Sequence, residues 1–193
     1  SNLLEAVGLF SLAYYAEDLE DLKTFVRHLK LADLFHENNV NQPIHVQHGE
    51  DTLTLERSSP TGLKLSYGEE HVLTLEENYL SRYKKPEPLS KYKFYRFKPA
   101  TSYPRSQGGT LRPPSGDNLF TLLYEDKELR EFTRDLFKKF GLSIVLKPHE
   151  ATIELQRQIE EGVVVSTPYA LASEGLQLLV FHYASIHTSK TQS

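Results

Sequence analysis

Between residues 44 and 75 apolar and polar side chains alternate in period two over four short runs, and this feature constrains the fold more than any other. The runs are Ile44-His45-Val46, Thr52-Leu53-Thr54-Leu55-Glu56, Leu63-Lys64-Leu65-Ser66-Tyr67 and Val72-Leu73-Thr74-Leu75. Successive side chains of a strand point to opposite faces, so each run has one apolar face, and spacers this short join only antiparallel neighbours. The reading is an antiparallel meander with one solvated face.

Helical spacing governs the chain ahead of it. Leu3, Val7, Phe10 and Tyr14 recur on one helix face, and Leu19, Leu22, Phe25, Val26 and Leu29 do so behind the acidic stretch 17–21, which predicts two helices reaching to about Phe35. Residues 79–114 are rich in Pro, Lys, Arg and aromatics and read as loop, with one strand at Phe94-Tyr95-Arg96-Phe97. Ser115-Gly116-Asp117-Asn118 supplies turn and cap residues for apolar 119–124, and an amphipathic helix over 129–140 is stopped by Gly141. Strands at 143–146, 152–155 and 163–165 follow. The last segment, 176–186, is apolar almost all round, which predicts a helix buried inside a sheet sandwich. The fold class is mixed α/β.

Composition narrows the functional classes. A chain of 193 residues with 25% charged side chains is expected to form one domain, and no apolar run approaches the ~18 residues that span a bilayer, so no membrane partner is expected. The absence of Cys excludes a disulfide framework, a thiol nucleophile and a Cys-based zinc site, and fits a cytoplasmic location. With no Met, and opening on Ser1-Asn2-Leu3 without a signal-peptide pattern, the chain reads as an internal piece of a longer protein.

Charge is segregated. Residues 82–112 hold nine Lys or Arg against the single acid Glu87, a local balance of +8 on a chain of net −4, which leaves −12 for the remainder. Interleaved with Tyr79, Tyr83, Tyr92, Phe94 and Tyr95, the cations Arg82, Lys84, Lys85, Lys91 and Lys93 have the composition of a surface that tracks a phosphate backbone and stacks bases. The same run also reads as a solvated loop pairing with acidic helices such as 17–21. His45 and His48 stand three apart in a strand and face opposite sides, which disfavours a shared metal. Glu69-Glu70 and Glu76-Glu77 read as charges at strand ends that block edge pairing, and no nucleophile elbow or Ser/His/Asp grouping occurs.

The two ends carry a resemblance. Ser1-Asn2-Leu3-Leu4-Glu5-Ala6 resembles the tail of a phosphate-binding loop, in which a Gly-rich turn and a Lys precede Ser or Thr and an apolar helix starts at once. Tyr169-Ala170-Leu171-Ala172-Ser173-Glu174-Gly175-Leu176-Gln177-Leu178-Leu179 resembles the signature segment of ABC-type ATPases, where a Ser-x-Gly step opens a buried helix. Pro113-Pro114-Ser115-Gly116-Asp117-Asn118-Leu119 is similar to a frequent turn of the same group. The order of loop helix, meander, variable helical region, signature and apolar helix resembles the OLD-like, AAA-domain branch of bacterial ABC-type ATPases, which is related to the SMC heads.

This resemblance implies a P-loop NTPase head, incomplete over 1–193. Residues 1–77 would hold the loop helix, a second helix and the meander, 78–142 the basic loop and a helical lobe, and 143–193 strands, signature and buried helix. It implies ATP and Mg²⁺ as cofactors, Ser1 as metal ligand, Ser1 and Asn2 at the phosphates, and Ser173, Glu174 and Gly175 at the γ-phosphate bound to the second copy of a homodimer. Ser173 would also cap the helix. Glu174 stands where the group commonly has a small residue. The Gly-rich loop, its Lys and the catalytic acid lie outside the sequence, so no catalytic residue falls within it and ATP hydrolysis belongs to the parent protein. The implied output is DNA maintenance or phage-defence effector action, with DNA and an effector protein or nuclease domain as further partners. The alternative is a non-catalytic nucleic-acid or protein interaction module using 79–112.

Overall fold

The computed structural model describes residues 2–26, 31–35, 39–104 and 109–190, and the chain divides into two compact units, Ser1–Arg96 and Phe97–Ser193. The first opens on helices α1 (Asn2–Tyr15) and α2 (Leu19–Phe25). Asp18 caps α2, its carboxylate accepting the Asp21 amide at 3.0 Å. The second helix is shorter than its apolar spacing predicts: Val26 turns extended (φ −133°, ψ 143°), and Leu31–Leu34 forms a separate 3-10 turn. Leu29 lies outside the described residues.

Strands β1 (Ile44–His48), β2 (Asp51–Arg57), β3 (Leu63–Tyr67), β4 (Glu70–Leu75) and β5 (Leu80–Arg82) then form one antiparallel sheet in chain order. The four alternating runs are its first four strands, and β5 is an addition that three residues are too short to announce. The register sets Leu55 opposite Leu65 and Leu65 opposite Leu73, giving one continuous apolar face. A bulge between Leu65 and Ser66 realigns the pairing with β4. Phe10, Leu12, Leu22 and Phe25 of the helices share a buried cluster with Leu53, Leu55, Leu65, Leu73 and Leu75 of that face. Each such side chain contributes roughly 1.5–3 kcal/mol by leaving water. On the other face Thr52, Thr54, Lys64 and Thr74 stay partly exposed, and Lys64 meets its cross-strand partner Glu56 at 3.1 Å.

Helices α1 and α2 approach closely at Gly8, where a Cβ would lie 2.6 Å from the Phe25 carbonyl oxygen, so the position requires glycine. The segment after β5 runs back over the helices. Its 3-10 turn (Glu87–Lys91) is held by the Tyr15 hydroxyl, which donates to the Ser90 carbonyl at 2.6 Å. Phe94-Tyr95-Arg96-Phe97 is no strand: the Phe94 amide donates to the Ser11 hydroxyl and the Phe94 ring sits 6.3 Å from that of Phe25. Helix contacts have taken the backbone and side chains a sheet would have used.

The second unit holds α3 (Leu119–Glu125), α4 (Lys127–Lys138), β6 (Ser143–Lys147), β7 (Thr152–Glu160), β8 (Val163–Pro168) and α5 (Glu174–Lys190). Asp126 ends α3 and caps α4, accepting the Leu129 amide at 2.9 Å. Gly141, at φ +70°, terminates that helical stretch as expected. The strands form an antiparallel sheet in the order β6-β7-β8, with Ile144 opposite Leu155 and Leu146 opposite Ile153. In the turn before α3, Gly116 has φ +75° and its absent Cβ would lie 2.7 Å from the Phe181 ring. Asn118 gives α3 no side-chain cap; it closes the turn, accepting the Arg112 amide and donating to the Thr110 carbonyl, each at 2.8 Å.

Helix α5 corrects a second expectation. It packs on α3 and α4, with the Tyr183 ring stacked on that of Phe132 at 3.7 Å and His187 meeting Asp126 at 2.8 Å, and it buries Val180, Phe181, Ala184 and Thr188; but Leu179 and Ile186 are 55% and 57% exposed, so it is not buried all round. Two helices cover one side of a cylinder, and no described strand of this unit covers the other. The chain is thus mixed α/β, with a five-stranded antiparallel meander, a three-stranded sheet and helices. No helix among the described residues is long and apolar enough to cross a membrane.

Candidate functional site

The start of α5 is the best-defined candidate. Tyr169–Leu171 forms a 3-10 turn and Ala172 is extended; α5 then begins at Glu174, with the Ser173 carbonyl accepting the Leu176 and Gln177 amides at 3.0 and 3.1 Å. Buried Gln177 fixes this approach, its amide nitrogen donating to the carbonyls of Ala172 (2.9 Å) and Ala170 (3.3 Å). Tyr169 anchors it from below, buried with its ring edge-on to Phe137 at 5.8 Å, and burial pushes its hydroxyl well above the ordinary tyrosine range. Sequence reading missed Gln177, whose polar side chain within an apolar helix was the available signal.

Ser173, Glu174 and Gly175 are all exposed. The expected cap differs: among the described residues the Ser173 hydroxyl makes no hydrogen bond, and only its carbonyl engages the helix. A Cβ on Gly175 would meet nothing closer than the Ser173 hydroxyl oxygen at 3.7 Å, so the approach to the backbone there is open. The first amides of a helix have no intrahelical acceptor, and together with a free hydroxyl they suit an anion. The Glu174 carboxylate opposes that preference. Of the other proposed nucleotide-binding residues, Asn2 opens α1 and Ser1 lies outside the described residues.

The basic segment is largely engaged within the first unit. Arg82 reaches over the end of α1 and donates to the carbonyls of Leu12 (3.4 Å), Ala13 (2.6 Å) and Ala16. No basic residue lies in the last turn of α1, so Arg82 supplies both the donors and the positive charge that the helix end lacks. Partial burial lowers its pKa, while the negative charges of Glu17 and Asp21 act in the opposite sense. Lys84 pairs with Glu70, Lys85 lies 4.6 Å from the centre of the Tyr14 ring, and Lys91 meets Asp51 at 2.7 Å. Lys93 is half-buried, and desolvation lowers its pKa. The exposed aromatics of the segment are Tyr79 and Tyr83, at 54% and 64%.

One polar cluster was invisible in the sequence. Asp51, buried at the start of β2, accepts the hydroxyls of Tyr67 and Tyr92 at 2.7 Å each, besides Lys91. Because the Tyr92 hydroxyl is spent on Asp51, its oxygen accepts from Nδ1 of His48 at 2.8 Å. Hydrogen bonds from Lys91, then Tyr67 and Tyr92, hold the Asp51 carboxyl down at about 2. A carboxylate so saturated is a poor base at neutral pH; its role is to fasten the segment around Tyr92, whose ring stacks on Phe10 at 4.6 Å, to the meander.

His45 is engaged with the Thr54 hydroxyl at 3.1 Å, and the described residues contain no group of three or more His, Asp or Glu arranged to hold a metal. In comparisons with protein-family models, curated proteins and solved structures, the chain matches none.

Proposed function

We propose that this chain is part of the ATP-binding head of a homodimeric, Mg²⁺-dependent ATPase of the ABC type, of the OLD-like, AAA-domain branch. The observation that carries the reading is the start of α5: an exposed Ser-x-Gly step with an unengaged hydroxyl, opening a 17-residue helix and held in place by Gln177. The order of helix, antiparallel meander, helical lobe and apolar helix supports it. So does the uncovered stripe of Leu178, Leu179 and Ile186, which in a complete head would face the central sheet.

On this reading Ser173 donates its hydroxyl, and Gly175 its close-approaching backbone, to the γ-phosphate held by the partner subunit. Ser1 would hold Mg²⁺, and ATP supplies the phosphoryl group. The chain's own contribution is positioning and stabilisation of charge, with hydrolysis tied to dimer closure. Closure would then drive a DNA-maintenance or defence effector. The interaction-module alternative has weaker support, since Arg82, Lys84 and Lys91 spend their charges on partners within the unit.

The test is light scattering of the full-length protein with and without Mg²⁺-ATP. Wild type should dimerise on nucleotide addition and Ser173→Arg should stay monomeric with an unchanged thermal midpoint. Equal dimerisation by the variant would overturn the assignment of Ser173.

A further inference from the structure

We propose that the cleft between α4 and the edge strand β6 binds an extended acidic peptide segment of a partner protein. The cleft, about 510 Å³, is lined by Leu123 and Tyr124 of α3, Arg130 and Arg134 of α4, and Ile144 and Leu146 of β6. It lies wholly within the second unit and is independent of the nucleotide reading. Arg130 is fixed at one end, donating through Nη1 to the carbonyls of Leu123 (3.0 Å) and Tyr124 (2.6 Å), which leaves Nε and Nη2 for a ligand. Arg134 stands one helical turn further on. Its contact is the neighbouring Asp135 at 3.2 Å, an exposed pair that holds it weakly.

Three features select the ligand. The half-buried Ile144 and Leu146 form an aliphatic floor, so the occupant carries apolar side chains. Arginines four apart on a helix sit about 6 Å from each other, which matches the ~6.6 Å between alternate side chains of an extended chain. A strand presenting acids at i and i+2 can therefore engage both. Among the described residues β6 pairs with β7 alone, so its outer edge has backbone groups to offer an added strand. A nucleic acid fits less well. The floor offers no flat aromatic surface beyond Tyr124 on which successive bases could stack.

The experiment is fluorescence anisotropy of a labelled peptide alternating Glu and Val, titrated with the full-length protein. Saturable binding in the micromolar range is expected. Arg134→Glu should weaken it at least tenfold without moving the thermal midpoint, and Lys98→Glu, the same charge change elsewhere, should leave it unaltered. N-methylation of alternate peptide bonds should abolish it. Absence of saturation up to about 1 mM would overturn the proposal. So would equal binding of a Lys/Val peptide, of the N-methylated peptide, or of a single-stranded oligonucleotide of matching charge.

Discussion

Replacing Arg82 by Met should cost the protein stability, not ligand affinity, and the size of the loss can be worked from its contacts. The Leu12 carbonyl also accepts the Ala16 amide at 3.1 Å and keeps that bond in the variant. The Ala13 and Ala16 carbonyls, beyond the last intrahelical donors of α1, depend on the guanidinium. A hydrogen bond to a charged group is worth about 1.5–3 kcal/mol. Arg82 is only half-buried, so water replaces part of this and the lower end applies, about 3 kcal/mol for two bonds before solvent compensation and about 2 after it. For a unit of this size that lowers the melting midpoint by roughly 8–16 °C. Met keeps the apolar stem, so packing is little changed. Far-UV circular dichroism against temperature reads the effect, and Arg82→Lys should recover part of it. A loss below about 0.5 kcal/mol, combined with weakened nucleic-acid binding, would refute the reasoning and return Arg82 to the phosphate-tracking surface.

Other consequences are equally specific. Gly8→Ala forces a methyl group against the Phe25 carbonyl and should destabilise the first unit by about 1–3 kcal/mol, measured by urea denaturation. The Asp51 carboxyl is held at about 2 against an ordinary 3.8, so its contribution to stability is complete above pH ~4 and lost as pH falls towards 2. Asp51→Asn should flatten the wild-type midpoint over that window. Leu179→Glu, on the open stripe of α5, should raise the solubility of the isolated 193-residue chain and reduce its binding of a hydrophobic dye, with a stability change within about 0.5 kcal/mol.

The meander was legible because Leu53, Leu55, Leu63, Leu65, Leu73 and Leu75 must share one face, and period two is a local property of the chain. Helices α3 and α4 were legible for the same reason, through helical spacing and the stop at Gly141, whereas Asn118 closes a turn in place of the cap expected of it. Phe94-Tyr95-Arg96-Phe97 was misread because aromatic alternation fits a strand and an aromatic loop alike; the Ser11 hydroxyl and the Phe25 ring that decide between them lie far away in sequence. The Asp51 cluster failed for the same reason, since its Tyr92 partner is 41 residues distant. At the candidate site, Ser173 and Gly175 carried a recognisable pattern, whereas the hold exerted by Gln177 depends on a turn whose path only the fold defines.

The central claim is tested most directly by Mg²⁺-ATP turnover of the full-length protein, wild type beside Ser173→Arg, over a range of enzyme concentrations. A signature acting across a dimer predicts turnover rising faster than linearly with wild-type enzyme and absent from the variant. Turnover strictly proportional to enzyme and equal in the two proteins would contradict it.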